Sequence, residues 1–542
     1  MKQLYVKKVL ATIMITTSLS GCVASADVTT ISAGSHPQFG QKTGELVQPA
    51  RKIDNVNLKN WHYHQNQSTL PAKFDPRGTN KATPIQDQFE TGLCWSYAGS
   101  DILAINKLNK TGIQSLFSTN YYNYMFASNA FKDLENPFGI EYRGLGAGGV
   151  ESWPTMAALM GYNPAKESDF ASLNESGQGS QDLATQYDVT SDAFYQTPTD
   201  QSFSVNGFLQ NDGAYDDASA QAVVDNTKKL IKENGSVGYH FDGDMLFADQ
   251  LDYGQAVYNT ETSAINLPMD YPKYVSYTVK ESGETGMFTA REANHAVTIV
   301  GWDDNYSRDN FVDGAKPNQN GAFIVKNSWG TSWGEKGYLY VSYEDYFILE
   351  GLLTTAKIAA PTADTLITSA DAPASSDWSF ETDSLYTGAQ VVLANVVEVP
   401  EDSSATKLSA ISLAAISNNA QYTVYYVDHE IDAQTLTTPE QVAEVGTMLN
   451  SGIASNHGQI KINVPKQDVV AGQKITLIAV EQDPNGLVDD GAGFQIQREG
   501  ARTATIADKG HNLVAWQQAD GTYSWLDLAR RGFKTYLGGY IH

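Results

Sequence analysis

The sequence predicts an α+β protein, with helices and a sheet mixed in the front half and an antiparallel β-sandwich behind. Three observations predict it. Trp95, Ala98, Ile102 and Ile105 recur at helical spacing just after Cys94. Residues 296–302 and 321–326 are buried apolar runs, and 337–343 alternate, so all three read as strands. Behind a stretch at 359–380 rich in Ala, Pro, Thr, Ser and Asp, short alternating runs recur at 389–396, 408–415, 421–427, 459–464 and 474–480. Gly, Asn and Asp separate them, which is the punctuation of a sandwich.

The chain of 542 residues is too long for one core. Residues 1–22 are an export signal: Lys2, Lys7 and Lys8 precede a short apolar run, Val9 to Leu19, too interrupted to span a bilayer. The signal ends in Leu19-Ser20-Gly21-Cys22, which resembles a bacterial lipobox. That resemblance implies lipidation of Cys22 and a membrane-anchored, extracytoplasmic protein. Cleavage after Ala26, giving a secreted protein, is the competing reading. Residues 23–70 read as a tether, 71–358 as the first globular unit, 359–380 as a linker and 381–542 as the sandwich. A net charge of -26 without a basic cluster excludes a nucleic-acid partner. The glycine-rich run at 144–149 lacks a following Lys-Ser/Thr, which excludes a nucleotide loop. Asp242 and Asp244 lack the rest of a calcium loop, and His62 and His64 lack a third ligand, so neither metal nor cofactor is expected.

Cysteine use carries the chemistry. Exported proteins usually pair their cysteines, but here there are two, Cys22 and Cys94, and neither is expected to find a partner within the chain. Cys94 is then the only thiol of the folded body. At the first turn of a helix it faces unpaired N–H groups and the positive dipole end, which lowers its pKa below the free value of about 8.5. A thiolate attacking a carbonyl needs a base, a group orienting the base, and donors for the oxyanion. Asn294-His295-Ala296-Val297 sets a histidine at the start of one buried strand. Lys326-Asn327-Ser328-Trp329-Gly330 sets an asparagine at the end of the next, where its amide can fix the imidazole tautomer and Trp329 can screen that bond from water. An imidazolium beside Cys94 would lower the thiol further, giving an ion pair. Gln88, shortly before Cys94, can donate to the oxyanion together with the Cys94 backbone N–H.

Gln88 through Ala98, Asn294 through Trp302, and Asn327-Ser328-Trp329-Gly330 with Gly334 and Gly337-Tyr338 together resemble the papain-type (C1) cysteine peptidases, in the family's order of Cys, His, Asn. The resemblance covers about residues 71–358. It implies a two-lobed fold, a helical lobe against a β-barrel-like lobe with the cleft between. It also implies peptide-bond hydrolysis with Cys94 as nucleophile, His295 as acid/base, Asn327 as orienting residue and Gln88 as oxyanion donor. Gly148-Gly149 resembles the glycine pair that binds substrate backbone beside the cleft, and Trp329 lies at the same groove. Thr91 and Leu93 depart from the family pattern, so its usual disulfides are absent. His295 and Asn327 lie farther from Cys94 than in the simplest members, and the excess is expected between about 165 and 290, in loops over the cleft. The back half resembles the lectin-like domain of some bacterial C1 peptidases at residues 392–397, 421–426 and 521–527, which implies a glycan or cell-wall ligand beside the protein or peptide substrate. A catalytically silent surface adhesin and a peptidoglycan amidase-type hydrolase are the other readings. Retention of Cys94, His295, Asn327 and Gln88 argues against the first, and the Asn-Ser-Trp-Gly motif against the second.

Overall fold

Helix α1 (Cys94–Thr111) is buried continuously from Cys94 to Leu108, so it packs on every side. Gly112, at φ 72°, ends it by returning its N–H to the Leu108 carbonyl at 2.8 Å. This computed structural model describes residues 58–65, 69–89, 91–127, 148–171, 190–351, 353–368, 389–483, 510–528 and 537–542, with short backbone strands at 45–47, 379–381, 496–498 and 533–535. The export signal, Cys22 and most of the expected tether lie outside the described residues.

Helices α2 (Thr119–Phe126) and α3 (Ser152–Leu159) flank α1 and form the helical lobe with it. The approach of α1 to α3 is close enough to require Gly99, where a Cβ would stand 2.5 Å from Pro154 Cγ and 2.6 Å from the Glu151 carbonyl oxygen. The opposite side of α1 meets the sheet. That sheet includes, in chain order, β1 (Ser204–Gln210), β2 (Val237–Phe241), β3 (His295–Asp303), β4 (Ala322–Lys326), β5 (Tyr338–Ser342) and β6 (Thr354–Ala359). Its spatial order through this half is β1-β6-β2-β3-β4-β5, all antiparallel. Helix α4 (Asp217–Asn234), opened by an Asp216/Ser219 capping box and closed at Gly235, packs behind it.

The back half contains β7 (Thr365–Thr368), β8 (Gln390–Glu398), β9 (Lys407–Ala415), β10 (Ala420–Val427), β11 (Thr447–Ala454), β12 (His457–Asp468), β13 (Lys474–Gln482), β14 (Asn512–Gln517), β15 (Tyr523–Asp527) and β16 (Gly538–Ile541). One layer is β11-β10-β13-β8-β14-β15, the other β7-β16-β9-β12. Leu393, Leu408, Ile411, Leu413, Ile475 and Leu477 fill the space between the layers. The α+β expectation therefore holds.

The sandwich is joined edge to edge with the front half: β12 pairs with β1, His457 opposite Gln210, so its second layer and the front sheet form one 13-stranded sheet. Three expectations need correcting. Residues 365–368, expected as linker, are β7 and pair with β16. Residues 58–65, expected as tether, lie on the body because Trp61 and Tyr63 are aromatic and bury there. The Trp61 Nε1–H donates to the Asp217 carbonyl at 3.1 Å, and the Tyr63 hydroxyl to Asp225 Oδ1 at 2.7 Å. Part of the excess at 165–290 is likewise framework, since it contains β1, α4 and β2, rather than loops over a cleft.

Candidate active site

Strand β3 begins with His295, and its pairing with β4 brings the two motifs together, Thr298 opposite Lys326. The His295 Nε2–H donates to Asn327 Oδ1 at 2.8 Å. The Ser328 backbone N–H donates to the same oxygen at 2.8 Å, which fixes the amide orientation and hence the ring tautomer. Nε2 therefore carries the proton and Nδ1 is the nitrogen left to exchange one. Trp329 lies against the imidazole with ring centroids 4.7 Å apart and planes 31° apart, and is itself backed by Phe247 and Trp333.

The Gln88 segment is hydrogen-bonded to this same loop. The Gln88 N–H donates to the Ser328 carbonyl at 2.8 Å, the Ser328 hydroxyl donates to Gln88 Oε1 at 2.6 Å, and the Gly330 N–H donates to the Gln86 carbonyl at 3.0 Å. Gly330, at φ +73°, allows the approach; a Cβ there would stand 2.7 Å from Asp87 Oδ2. One N–H of Gln88 Nε2 donates to the Thr91 carbonyl at 2.7 Å, so the amide has a second N–H to offer. The turn at Phe89 (φ 52°) then leads through Leu93 into α1.

Cys94 is the first residue of α1 and is buried. Helix α1 lies on β3: the Thr298 hydroxyl donates to the Ala98 carbonyl at 3.4 Å, and Ala296 shares an apolar cluster with Cys94 and Trp95. A buried ion pair ties the same two elements. Lys326 Nζ lies 2.7 and 2.6 Å from the two Asp101 carboxylate oxygens and 2.9 Å from Thr83 Oγ1. Asp101 is on the Cys94 helix and Lys326 directly precedes Asn327, so the pair fixes Cys94 and Asn327 to one frame.

Two chemical expectations are corrected. Cys94 is not free: the described residues hold no free cysteine, and Cys94 is disulfide-bonded. The chain's other cysteine, Cys22, lies outside the described residues. Nor is His295 an imidazolium here. Burial pulls its pKa down to about 4, only partly opposed by the bond to Asn327.

Gly149 is buried and lies flat on Trp95, where a Cβ would come within 2.4 Å of the indole; Gly148 beside it is half-buried. The glycine pair thus runs over the residue following Cys94. Sequence reasoning missed the Asp101–Lys326 pair, whose one signal was a lysine ending an apolar strand. It also missed what Asp242 and Asp244 do: Asn294 Nδ2 donates to both carboxyl groups at 3.1 Å, and Asn294 Oδ1 accepts from the Gly243 N–H at 2.7 Å, which anchors the residue before His295. Burial raises the pKa of Asp244 to about 6.

Residues 204–352 match the profile described as papain family cysteine protease, a span that includes His295 and Asn327 but begins after Gln88 and Cys94. Cysteine proteinase B of Leishmania mexicana is 28% identical over 141 residues, 26% of this chain and 27% of that protein. Cysteine proteinase 2 of Dictyostelium discoideum is 24% identical over 282 residues, 51% of this chain and 63% of that protein. The chain thus spans 27% of the first relative's length and less than two thirds of the second's. The crystal structure of the cysteine protease and lectin-like domains of Cwp84, a surface layer associated protein of Clostridium difficile, has the same fold. Its TM-score is 0.60 at 18% identity, covering 94% of this chain and 99% of that one. A second structure of that clostridial protease, after propeptide cleavage, gives 0.58 at 19% identity over 86% and 98%. Residues 204–352, and with them His295 and Asn327, are thus similar to the papain family of cysteine proteases.

Proposed function

We propose that this protein is an exported cysteine peptidase that works through Cys94, His295, Asn327 and Gln88. The observation carrying the reading is the 2.8 Å bond from His295 to Asn327 on the loop that also holds Gln88. Once reduced, Cys94 attacks the scissile carbonyl as a thiolate. Its negative charge raises the depressed His295 pKa, so the ring takes the thiol proton at Nδ1. The second Gln88 N–H and the Cys94 backbone N–H stabilise the oxyanion. Collapse of the tetrahedral adduct breaks the C–N bond, and His295 returns its proton to the leaving amine, giving a thioester. His295 then takes a proton from water, the hydroxide attacks the thioester, and the thiolate leaves. Gly148 and Gly149 hold substrate backbone along Trp95, and Trp329 borders the groove while screening His295.

Surface location is supported by the lipobox-like Leu19-Ser20-Gly21-Cys22 and by the likeness to Cwp84, which is itself a surface layer associated protein. Among the described residues no helix is long and apolar enough to cross a membrane. Lipidation of Cys22 supplies the anchor in this reading, and the sandwich takes a glycan or cell-wall ligand. Mass spectrometry of the mature N-terminus separates a lipidated Cys22 from cleavage after Ala26. One observation favours a silent adhesin instead: a disulfide-bonded Cys94 cannot attack. Reduced protein decides between them. It is expected to hydrolyse a denatured protein substrate, and Cys94→Ala is expected to abolish this. Absence of hydrolysis by the reduced, folded protein would overturn the peptidase reading.

A further inference from the structure

Next to His295 lies a pair of acids that the chemistry above does not use. Asp242 and Asp244 directly follow β2, and Gly243 between them packs on the histidine. A Cβ at Gly243 would stand 2.8 Å from His295 Cβ and 3.2 Å from its Cγ. One amide joins the two acids: Asn294 Nδ2 has an N–H for Asp242 Oδ1 and another for Asp244 Oδ2, each at 3.1 Å. Asp242 Oδ1 also accepts the Asp244 N–H at 2.9 Å, but Asp242 Oδ2 is buried with no hydrogen-bond partner among the described residues.

No cation neutralises the pair among the described residues. On the neighbouring segments Lys280 Nζ donates to the Ala248 carbonyl at 2.8 Å, and Arg291 Nη2 to the Met269 and Tyr271 carbonyls at 2.7 and 2.8 Å. The ionisable groups that face the pair are Glu292, Tyr253 and Tyr271 toward Asp242 and Tyr277 toward Asp244, all of them anionic when ionised. Two carboxyl groups sharing one amide without a cation do not both ionise at neutral pH. Exposure decides which keeps the proton. Asp242 is 1% exposed with an oxygen that lacks a donor, whereas Asp244 is half-buried. Burial and the charge of Asp244 hold Asp242 well above the usual carboxylate range, and burial raises Asp244 only to about 6. The proton therefore stays on Asp242 and the charge on Asp244. Of the other charges on elements around His295, Asp101 and Lys326 cancel, and Glu151 sits against His240 on β2, its Oε1 3.4 Å from Nδ1.

We infer that Asp244 is a positioning residue for the reaction: its charge, held one residue from the Gly243–His295 contact, stabilises the imidazolium that His295 becomes when it takes the Cys94 proton. This rests on the proposed peptidase reading. Burial alone leaves the ring a poor base, with a pKa of about 4. A carboxylate within about 10 Å of it, at an effective dielectric of 20, raises that value by about one pH unit.

The test is the pH profile of kcat/KM on a fluorescently labelled denatured protein, for the reduced full-length wild type, Asp244→Asn and Asp242→Asn. Asparagine at either position keeps an oxygen for Asn294 Nδ2. The alkaline limb, where the imidazolium is lost, is expected to move down by about one pH unit in Asp244→Asn. It is expected to move much less in Asp242→Asn, which has no charge to lose. Each profile is normalised to its own maximum, so a loss of folded or active protein does not move the limb. Superimposed limbs in wild type and Asp244→Asn, or equal shifts in the two variants, would overturn the assignment. A second readout needs no activity. The folded pKa of Asp244 lies above the ordinary 3.8, so its contribution to stability is full below about pH 4 and is lost as pH rises through about 6. The fall in thermal stability of the disulfide-bonded protein between pH 4 and 7 is expected to be smaller in Asp244→Asn than in wild type, and an unchanged slope would overturn the placement of the charge. Absence of hydrolysis by wild type at every pH removes the peptidase reading and this inference with it, whereas hydrolysis with unmoved limbs removes only this one.

Discussion

The Asp101–Lys326 pair offers a quantitative test of how the site is held. Both charges are buried, with side chains 9% and 2% exposed, and Lys326 Nζ is within 2.7 Å of both carboxylate oxygens. At an effective dielectric of 20 the attraction at that distance is about 6 kcal/mol. Desolvation of the two ions costs several kcal/mol each, so the intact pair is near neutral for stability. The desolvation is visible in Lys326, whose pKa is lowered by burial against the opposing pull of Asp101. Removing one partner keeps the desolvation and loses the attraction. Lys326→Met and Asp101→Leu are each expected to destabilise the front half by about 3–5 kcal/mol. The double variant is expected to recover most of that, because no uncompensated charge remains. Urea unfolding at pH 7, followed by tryptophan fluorescence, gives the three differences and their coupling. Single variants within about 1 kcal/mol of wild type, or a double variant as unstable as the sum of the singles, would refute the reasoning.

The protein as isolated under oxidising conditions is expected to be inactive and to gain activity with a thiol reductant; equal activity with and without reductant would contradict Cys94 as the nucleophile. Glu481 is buried in the sandwich, and burial raises its pKa to about 8 against the opposing Ile416 N–H. A folded pKa above the unfolded value means that its contribution is full below about pH 4.5 and is lost as pH rises through about 8. Glu481→Gln is therefore expected to flatten the fall in thermal stability between pH 5 and 9, and an unchanged slope would refute it. Gly149→Ala drives a methyl into the Trp95 indole and is expected to cost about 1–3 kcal/mol together with a fall in kcat/KM; a neutral effect in both would show that Gly149 has slack.

The strands bearing His295 and Asn327 were legible because each is a continuous apolar run with β-branched residues, bounded by Gly or Asn. The helix after Cys94 was legible from its spacing. Helix α4 was only half legible, since its first half is Ala- and Ser-rich with an Asp216 cap, and only 226–233 show an apolar rhythm. The continuity of the sheet was not legible at all. Nothing local in residues 204–210 says that one edge pairs with 354–359 and the other with 457–460, because partner choice is a long-range property of register. The four proposed site residues were singled out by their types and order. The Glu151–His240 contact joins residues distant in sequence, with no motif at either end, and needed coordinates. The state of the Cys94 sulfur was not legible either, because a count of two cysteines, one at a signal terminus, does not say whether the other has a partner.

The central claim is that His295 acts directly on Cys94. The rate of epoxide inactivation of the reduced protein against pH, for wild type and His295→Ala, tests it most directly. Wild type is expected to be modified rapidly well below pH 8, with a thiol ionisation far under about 8.5 that moves upward in His295→Ala. A single ionisation near 8.5, the same in both proteins, would contradict it.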